Sequence, residues 1–243
     1  AAEDLPVSVI KLDIVDPDSI VTAVAEIMAR NGRIDALVNN AGIGGGRAVE
    51  ETPMHEVREI FETNYFGNVN VLRAVTPIMR QQKSGRIVTV GSLAGRVVMG
   101  CHAHYSASKW AMEGLSEALA QEMAEFNVKV AIIEPGCVLT PIWGKGSLPT
   151  EPSPYLKSLQ RLGRFFEFGL RRPAMPTDVA SAIAHAIESD KPHFRYPVGP
   201  DAVESVAARA KVSDDEWIEA NCLQGEAFSD RWLELVGVDY YRD

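Results

Sequence analysis

The stretch "IDALVNNAGIGGG", residues 34–46, decides the fold, because in it an apolar run leads directly into a glycine-rich turn. A strand, a glycine-rich turn and a following helix together form the phosphate-binding loop of many nucleotide-binding proteins. The dinucleotide fingerprint G-x-G-x-x-G fails here, because its third glycine position holds Arg47 in one frame and Val49 in the other. The stretch is therefore a poor phosphate loop, and a plain flexible turn explains its glycines equally well.

Strands and helices alternate on both sides of this stretch. Apolar runs of strand length predict strands over 6–13, 34–40, 85–92, 128–136 and 193–199. Helical spacing and capping residues predict helices that begin at Asp16–Pro17, span 54–82 and 104–125, and begin again at Thr177 and at Ser213. This alternation, with near-continuous apolar strands, is typical of an α/β domain with a buried parallel sheet. No linker interrupts it, so residues 1–243 are predicted to form a single domain.

The amino-acid composition changes over residues 141–176, which include six prolines and four glycines. Long excursions of this kind are commonly lids or binding loops, so we expect this region, with a short helix inside it, to cover the substrate. Its aromatic side chains either wall a substrate pocket or pack a loop helix or a subunit contact; they are Trp143, Tyr155, Phe165, Phe166 and Phe168. Residues 200–243 are predicted to form C-terminal helices, and Ser213 with Glu216 has the capping-box pattern.

The composition excludes several classes of protein. The formal net charge of −9 argues against nucleic acid or an anionic membrane as partner, since both favour basic surfaces. The three cysteines are far apart and suggest neither a disulfide framework nor a zinc site, which fits a reducing cytoplasm. No apolar run reaches the roughly 20 residues of a membrane span, and no signal peptide is visible. His102-x-His104 lacks an evident third ligand, so no metal site is predicted.

Polar or glycine and proline residues fall at the carboxyl ends of four predicted strands, at Asp13, Asn39–Asn40, Gly91–Ser92 and Pro135–Gly136. In open parallel sheets, ligands bind beyond the carboxyl ends of the strands. The sequence therefore predicts a ligand site along this edge of the sheet.

Tyr105 and Lys109 lie four residues apart at the start of a predicted helix, which puts them on one face. A nearby ammonium favours the phenolate and lowers the pKa of a tyrosine, so the pair is suited to general acid–base chemistry. The pair alone also fits an exposed lysine stacked along a tyrosine. Ser92, at the end of the preceding strand, either binds a substrate oxygen or makes a local turn bond. Asn64 lies inside a predicted helix, where it either has a specific partner or faces solvent.

The combination of these residues resembles a short-chain dehydrogenase/reductase of the common single-domain type. The resemblance is carried by Leu12-Asp13-Ile14, "NNAG" at 39–42, Asn64, Ser92, "YSASK" at 105–109 and "EPGCVLTP" at 134–141. It implies a Rossmann-like doubly wound parallel sheet in three α/β/α layers that binds NAD or NADP. It also implies a catalytic tetrad formed by Asn64, Ser92, Tyr105 and Lys109.

The resemblance assigns a role to each member of this tetrad. It implies that Tyr105 exchanges a proton with the substrate oxygen, while Lys109 lowers the pKa of Tyr105 and hydrogen-bonds the nicotinamide ribose. It further implies that Ser92 orients the carbonyl or alcohol and that Asn64 holds a water that relays the proton.

The resemblance also implies a set of cofactor-binding residues, to which Tyr105 and Lys109 of the tetrad belong. Asp13 and Ile14 match the pair that contacts the adenine. Asn39, Ala41 and Gly42 match a turn that brings the backbone close to the cofactor and braces the sheet. The loop that contacts the nicotinamide is matched by Pro135, Gly136 and Thr140.

The sequence departs from the family at its beginning, because it opens at what resembles the third strand. The family's first two strands and its glycine-rich phosphate loop are absent from these residues, so a preference for NAD or NADP cannot be predicted. In the sheet order 3-2-1-4-5-6-7 that the resemblance implies, those two strands separate residues 6–13 from residues 34–40 by roughly 14 Å. We expect the 243 residues to belong to a longer protein; the alternative is a truncated chain with a modified sheet.

The predicted function is an NAD(P)-dependent oxidoreductase that interconverts a secondary alcohol and a ketone in a small-molecule substrate. The segments "GRIVTVGSLAG" and "RYPVGPDA" look most like steroid- and retinol-dehydrogenase-like members. One alternative is a non-catalytic binding protein of the same fold. Another is an epimerase or dehydratase, which the short segment of about 100 residues after "EPG" disfavours. By analogy with the family, the long helices over 54–82 and 104–125 are expected to form a homodimer or homotetramer.

Overall fold

The computed structural model describes residues 7–144 and 153–239. The helices are α1 (Pro17–Asn31), α2 (Met54–Phe61), α3 (Asn68–Gln82), α4 (Ala103–Ala124), α5 (Leu156–Arg171), α6 (Pro176–Glu188), α7 (Pro200–Arg209), α8 (Asp214–Cys222) and α9 (Gly225–Val236). The strands are β1 (Ala36–Asn39), β2 (Gly85–Val90), β3 (Val128–Pro135) and β4 (Arg195–Val198). Short 3-10 turns follow β2, at Leu93–Gly95, and β3, at Pro141–Gly144.

The strands form one parallel sheet in the order β1-β2-β3-β4. The longest ladder joins β2 to β3, from Gly85 opposite Val128 to Val90 opposite Ile133. Because parallel strands must be connected by crossovers, each connection carries helices that cover a face of the sheet. The predicted Rossmann-like α/β fold is confirmed, with strands a few residues shorter than the apolar runs suggested.

The sheet is buried on both faces, and alternate residues of β3 show it. Val128 and Val130 pack in a cluster with apolar residues of α1, α3 and α4. Ala131 and Ile133 point the other way and pack against a cluster that includes Ala186 of α6. This alternation explains why the whole strand reads as apolar in the sequence.

Residues 7–13 correct the prediction of a strand over 6–13, because in the structure they join no ladder. Val7 and Val9 are 70 % and 93 % exposed. A strand is stabilised by hydrogen bonds to a neighbouring strand, and among the described residues β1 pairs only with β2. Residues 7–13 therefore have no strand beside them.

The predicted helix over 54–82 is interrupted by a π-helical turn at Glu62–Gly67, which separates α2 from α3. This π-turn loosens the regular backbone hydrogen bonding, and the Asn68 side chain compensates. Its Nδ2 donates to the carbonyl oxygens of Thr63 at 3.3 Å and Asn64 at 3.0 Å. Single π-turns inside α-helices are frequent at functional sites.

The region predicted over 141–176 holds a longer helix than expected. Its helix α5 runs over Leu156–Arg171, while 145–152 and the side chain of Trp143 lie outside the described residues. The helix predicted to start at Thr177 starts at Pro176, because the Met175 amide is capped by the Asp178 carboxylate at 2.7 Å. The capping box of α8 is confirmed, with the Glu216 amide donating to Ser213 Oγ at 3.2 Å.

The C-terminal helices close over an aromatic cluster in which Trp217, Phe228 and Trp232 are buried. Phe165 of α5 joins it, with its ring centroid 6.1 Å from that of Trp232. Phe165 therefore packs α5 against the C-terminal helices, which is one of the two alternatives that the sequence left open. None of the helices described is long and apolar enough to cross a membrane. The single-domain, cytoplasmic and homo-oligomer assignments stay predictions.

Replacing Met79 by alanine is expected to cost about 2–5 kcal/mol of unfolding free energy, because this α3 side chain is fully buried against the sheet. A Cβ on Gly85, at the start of β2, would lie only 2.6 Å from Met79 Sδ, so the contact is tight. The measurement is urea unfolding of the wild type and the variant. Met54→Ala is the control: that methionine is 58 % exposed, and a change larger than about 0.5 kcal/mol there would argue against the burial argument.

Candidate active site

Tyr105 and Lys109 occupy the first turns of α4 and face the carboxyl end of β2. The Lys109 ammonium donates to the carbonyl oxygen of Val90 at 3.1 Å and lies 5.8 Å from the centroid of the Tyr105 ring. Lys109 is buried, and the phenol of Tyr105 is half-buried. The spacing of four residues thus brings the ammonium and the ring together at the edge where ligands of parallel sheets bind.

Burial shifts the pKa of both side chains away from their charged forms. It raises the pKa of the Tyr105 phenol, and a hydrogen bond from Ser92 acts in the opposite direction. It lowers the pKa of Lys109 to about 8. The predicted lowering of the Tyr105 pKa is therefore not observed, because desolvation of the buried phenol is the largest influence on that pKa. At neutral pH the phenol keeps its proton.

Of the two roles that its position suggested, Ser92 makes the local turn bond, and its binding of a substrate oxygen stays a prediction. It caps the 3-10 turn after β2, where its Oγ accepts a hydrogen bond from the Ala94 amide at 3.1 Å. The same side chain hydrogen-bonds the Tyr105 phenol. The serine hydroxyl is thus fixed by the turn and held against the tyrosine.

Asn64 is fully buried in the π-turn, and its amide joins three segments of the chain. Oδ1 accepts from the Ile43 amide at 2.8 Å, while Nδ2 donates to the Ile43 carbonyl at 2.9 Å and to Ser108 Oγ at 3.0 Å. Ser108 Oγ in turn donates to the Tyr105 carbonyl at 2.7 Å. Asn64 therefore ties the glycine-rich turn after β1 to the helix that carries Tyr105.

Ser108 and Asn68 are site residues that the sequence did not reveal. Asn68 Nδ2 reaches the Ala41 carbonyl at 3.3 Å as well as the π-turn, so it holds the same glycine-rich turn from a second point. The available signal was weak: a polar residue four positions after Asn64, and a serine between Tyr105 and Lys109.

The glycine-rich turn brings the backbone close to the polar centre. A Cβ on Gly42 would lie 3.2 Å from Asn64 Oδ1 and 3.6 Å from Lys109 Nζ, so a side chain there would crowd Asn64 and occupy part of this approach. Asn39 is 6 % exposed, and its buried Nδ2 has no hydrogen-bond partner among the described residues. The backbone of the turn at Gly42 therefore lies beside Lys109 without a side chain between them.

Asp13 and Ile14 lie next to the π-turn. A Cβ on Gly67 would come within 2.8 Å of Ile14 Cδ1, so Ile14 packs directly on that turn. Asp13 is exposed, and its Oδ1 accepts from the Val15 amide at 3.0 Å. Ile14 is thus packed on the helix that carries Asn64, and neither Asp13 nor Ile14 belongs to a strand.

Pro135 ends β3, and the loop after it carries Gly136 and the half-buried Thr140. A buried carboxylate that the sequence did not reveal, Asp201, supports it: its Oδ2 accepts from the Cys137 amide at 2.7 Å. A Cβ on Gly136 would overlap Asp201 at 2.1 Å, so glycine is required there. Burial and Asp201 raise the pKa of the Cys137 thiol, which leaves it protonated and structural.

His102 forms one wall beside the tyrosine. Its ring stacks on Tyr105 with centroids 4.8 Å apart, and Phe166 of α5 meets it edge-on at 5.5 Å. Burial lowers the pKa of His102 to about 4, so the ring is neutral at neutral pH. Phe166 of the 141–176 region thus reaches the site through His102. No cluster of three potential metal ligands occurs within residues 7–144 and 153–239.

The comparisons with known proteins agree with this architecture. The family model described as short chain dehydrogenase matches residues 1–149. The chain is 37 % identical over 220 residues to Oxidoreductase BOA17 of Botryotinia fuckeliana, covering 86 % of this chain and 78 % of that one. It is 33 % identical over 218 residues to retinol dehydrogenase 8 of Bos taurus, covering 84 % and 67 % of the two chains.

Solved structures give the same result. A short-chain dehydrogenase from Streptomyces avermitilis superposes with a TM-score of 0.78 at 36 % identity, covering 86 % of this chain and 77 % of that one. An NAD+-bound xylitol dehydrogenase superposes with a TM-score of 0.64 at 25 % identity, covering 77 % and 76 %. The chain belongs to the short-chain dehydrogenase/reductase family, and it is an oxidoreductase that acts with NAD(P).

Lys109→Met is expected to change the pH dependence of stability. Because burial lowers the pKa of Lys109 from 10.5 to about 8, the folded protein binds fewer protons there than the unfolded chain between these values. The unfolding free energy of the wild type should therefore rise with pH across this window relative to Lys109→Met. The measurement is urea unfolding near neutral pH and at about pH 10, at the two ends of that window.

Lys157→Met removes an exposed lysine and controls for the loss of one positive charge. A difference between wild type and Lys109→Met that stays constant from neutral to alkaline pH would show that Lys109 is not desolvated in the folded protein.

Proposed function

We propose that this protein interconverts a secondary alcohol and a ketone, with Tyr105 as the general acid and base. The observation that carries the proposal is the convergence of three groups at the carboxyl end of β2: the Ser92 hydroxyl, the Tyr105 phenol and the Lys109 ammonium. A hydroxyl and a phenol that share a hydrogen bond, with a cation beside them, suit the binding and protonation of one oxygen atom.

The surrounding residues fit a nicotinamide dinucleotide. The backbone at Gly42 is open beside Lys109, and the buried Nδ2 of Asn39 is a donor without a partner among the residues described. We propose that Asn39, Ala41, Gly42 and Lys109 bind the ribose side. Pro135, Gly136 and Thr140 would contact the nicotinamide, and Asp13 with Ile14 the adenine. When bound, NAD or NADP supplies or accepts the hydride.

In the reduction direction, the Ser92 hydroxyl binds the carbonyl oxygen and orients it towards Tyr105. Because burial raises its pKa, the Tyr105 phenol holds its proton at neutral pH and is ready to donate it as negative charge develops on that oxygen. The Lys109 ammonium stabilises the phenolate left behind. In the oxidation direction the same groups act in reverse, with Tyr105 accepting the alcohol proton.

Asn64 has a positioning role in this proposal, since its amide holds both the cofactor-side turn and the start of α4. The water relay that the family resemblance implies remains a prediction for this chain.

We propose an apolar substrate. The wall beside Tyr105 consists of the neutral ring of His102 and the ring of Phe166, and neither is suited to pair with a charged ligand group. The relative named retinol dehydrogenase 8 supports a lipid-like alcohol. We also propose that α3 and α4 mediate a homodimer or homotetramer, since Trp110 of α4 is 53 % exposed.

Tyr105→Phe is expected to lower kcat/KM for NAD(P)H-dependent carbonyl reduction by about 100- to 10,000-fold, the usual contribution of a general acid. The assay is a panel of aliphatic, steroid and retinoid carbonyls with NADH and with NADPH. Tyr155→Phe is the matched control, because that phenol is 39 % exposed and donates to Glu50 at 2.9 Å. Equal rates in wild type and Tyr105→Phe would reject the mechanism.

Calorimetry with both reduced cofactors separates the remaining outcomes. Binding without turnover of any carbonyl would favour a non-catalytic member of the fold, and turnover without net oxidation or reduction would favour an epimerase or dehydratase.

A further inference from the structure

A network of charged side chains lies behind the site, where α4, β3, β4 and the turn after β2 meet. Glu134 of β3 is fully buried, and its Oε1 accepts from Arg96 Nη1 at 3.0 Å. Arg195 of β4 places its Nε 3.5 Å from the same oxygen and 3.0 Å from Oε2 of Glu113. Glu113, on α4, is 6 % exposed. The two carboxylates therefore flank one guanidinium nitrogen.

Each carboxylate also has an oxygen without a partner. Glu113 Oε1 and Glu134 Oε2 are buried and make no hydrogen bond to any residue described. A buried, unpaired carboxylate oxygen costs about 1–3 kcal/mol, and more when charged. Two carboxylates that share a site cannot both ionise easily, so one proton bound by the pair would remove one of the two buried negative charges.

We propose that Glu113 and Glu134 share one proton in the folded protein, and that this proton positions the Ser92 turn against the helix that carries Tyr105 and Lys109. The inference rests on the proposed function in so far as Ser92 is taken to bind substrate. Glu113 and Glu134 are positioning residues, because they touch neither Tyr105 nor the reacting oxygen.

The connection from this pair to Ser92 is short and rigid. Arg96 directly follows the 3-10 turn at Leu93–Gly95, and its backbone amide donates to the Leu93 carbonyl at 2.9 Å. The Gly95 amide donates to the Ser92 carbonyl at 2.9 Å. A Cβ on Gly95 would lie 3.1 Å from the Lys109 carbonyl and 3.2 Å from Glu113 Cγ. A change at the carboxyl pair therefore reaches the turn both through Arg96 and through direct packing.

The same pair adjoins the nicotinamide-side loop, since Glu134 is followed immediately by Pro135 and Gly136. Glu113 lies one helical turn beyond Lys109. The network thus contacts each of the three segments that carry the proposed chemistry.

The pH dependence follows from all the charged groups that face Glu113. These are Glu134 of β3, Arg195 of β4 and Arg96 after the turn. Glu117 of α4 lies on the far side of Arg195, whose Nη2 donates to Glu117 Oε2 at 2.7 Å. Burial raises the pKa of Glu113 to about 7, and the charge of Glu134 is the second largest cause of this increase. Arg195 and Arg96 act in the opposite direction but do not cancel it. The folded protein thus binds more protons than the unfolded chain above pH 4.5, and stability falls as pH rises towards 7.

The test compares Glu113→Gln and Glu134→Gln with Glu117→Gln, which also removes a carboxylate from Arg195 but at a side chain that is 56 % exposed. Infrared spectroscopy of the wild-type protein should show one protonated-carboxyl band that is lost as pH rises through neutrality. The band should be absent from Glu113→Gln and retained in Glu117→Gln. The stability advantage of the wild type over Glu113→Gln should shrink across the same range of pH.

The positioning claim has its own readout, which needs neither substrate nor cofactor. The Ala94 amide, which donates to Ser92 Oγ at 3.1 Å, should shift in nuclear magnetic resonance spectra with the midpoint of the infrared band. This shift should be lost in Glu113→Gln. With an active substrate, the turnover of Glu113→Gln relative to wild type should rise with pH through neutrality, while Glu117→Gln keeps the wild-type profile.

Each result decides the proposal. The proposal is overturned if the wild type lacks the infrared band, or if the band persists in both Glu113→Gln and Glu134→Gln. It is also overturned if the resonance of the Ala94 amide does not shift at the pH midpoint of the infrared band. If Glu113→Gln does not fold, the wild-type titrations and Glu134→Gln decide between the same outcomes. A wild type with the band and the Ala94 shift but no carbonyl turnover would reject the proposed function and leave the shared proton standing.

Discussion

The amide of Asn64 is the contact on which the rest of the site depends. A single buried side chain holds the backbone of Ile43 by two hydrogen bonds and reaches Tyr105 through Ser108. Without it, the turn after β1 and the first turn of α4 would lose this polar link. Both donors of the amide group are used, so the side chain has one orientation only. A buried, hydrogen-bonded polar link of this kind fixes geometry in a way that apolar packing does not.

The sequence predicted the fold where local patterns suffice. "GRIVTV" and "VKVAIIEP" read as apolar strands because both faces of the sheet are covered, and α1 was marked by Asp16 and Pro17. Residues 7–13 were predicted as a strand in the same way, but within the part of the chain that the structure describes no strand lies beside them, and pairing between strands is not a local property. The π-turn could not be predicted from the sequence either, because it depends on a hydrogen bond from the Asn68 side chain to the backbone of Asn64.

The same limit applies to the site. Tyr105, Lys109 and Ser92 were predicted as site residues from their type and order, and the structure brings them together at the carboxyl end of β2. Asp201, Ser108 and the Glu113–Glu134 pair were not, because each acts on a segment that is distant in sequence or on a backbone group. Two glutamates 21 positions apart become neighbours only through the packing of α4 on β3. Supporting groups are set by tertiary contacts, whereas the reacting groups are recognisable by their type and order.

The π-turn at Glu62–Gly67 also constrains how this helix can change in descent. A π-turn takes up about one residue more than an α-helical turn, so deleting a residue there would restore regular winding and leave α2 and α3 in nearly the same relative rotation, but it would redirect the side chains of the turn itself. Asn64 would then leave its pocket. Single substitutions can accumulate along such a helix, but the number of residues in it is fixed. Deletions within Glu62–Gly67 should therefore be absent from any functional descendant.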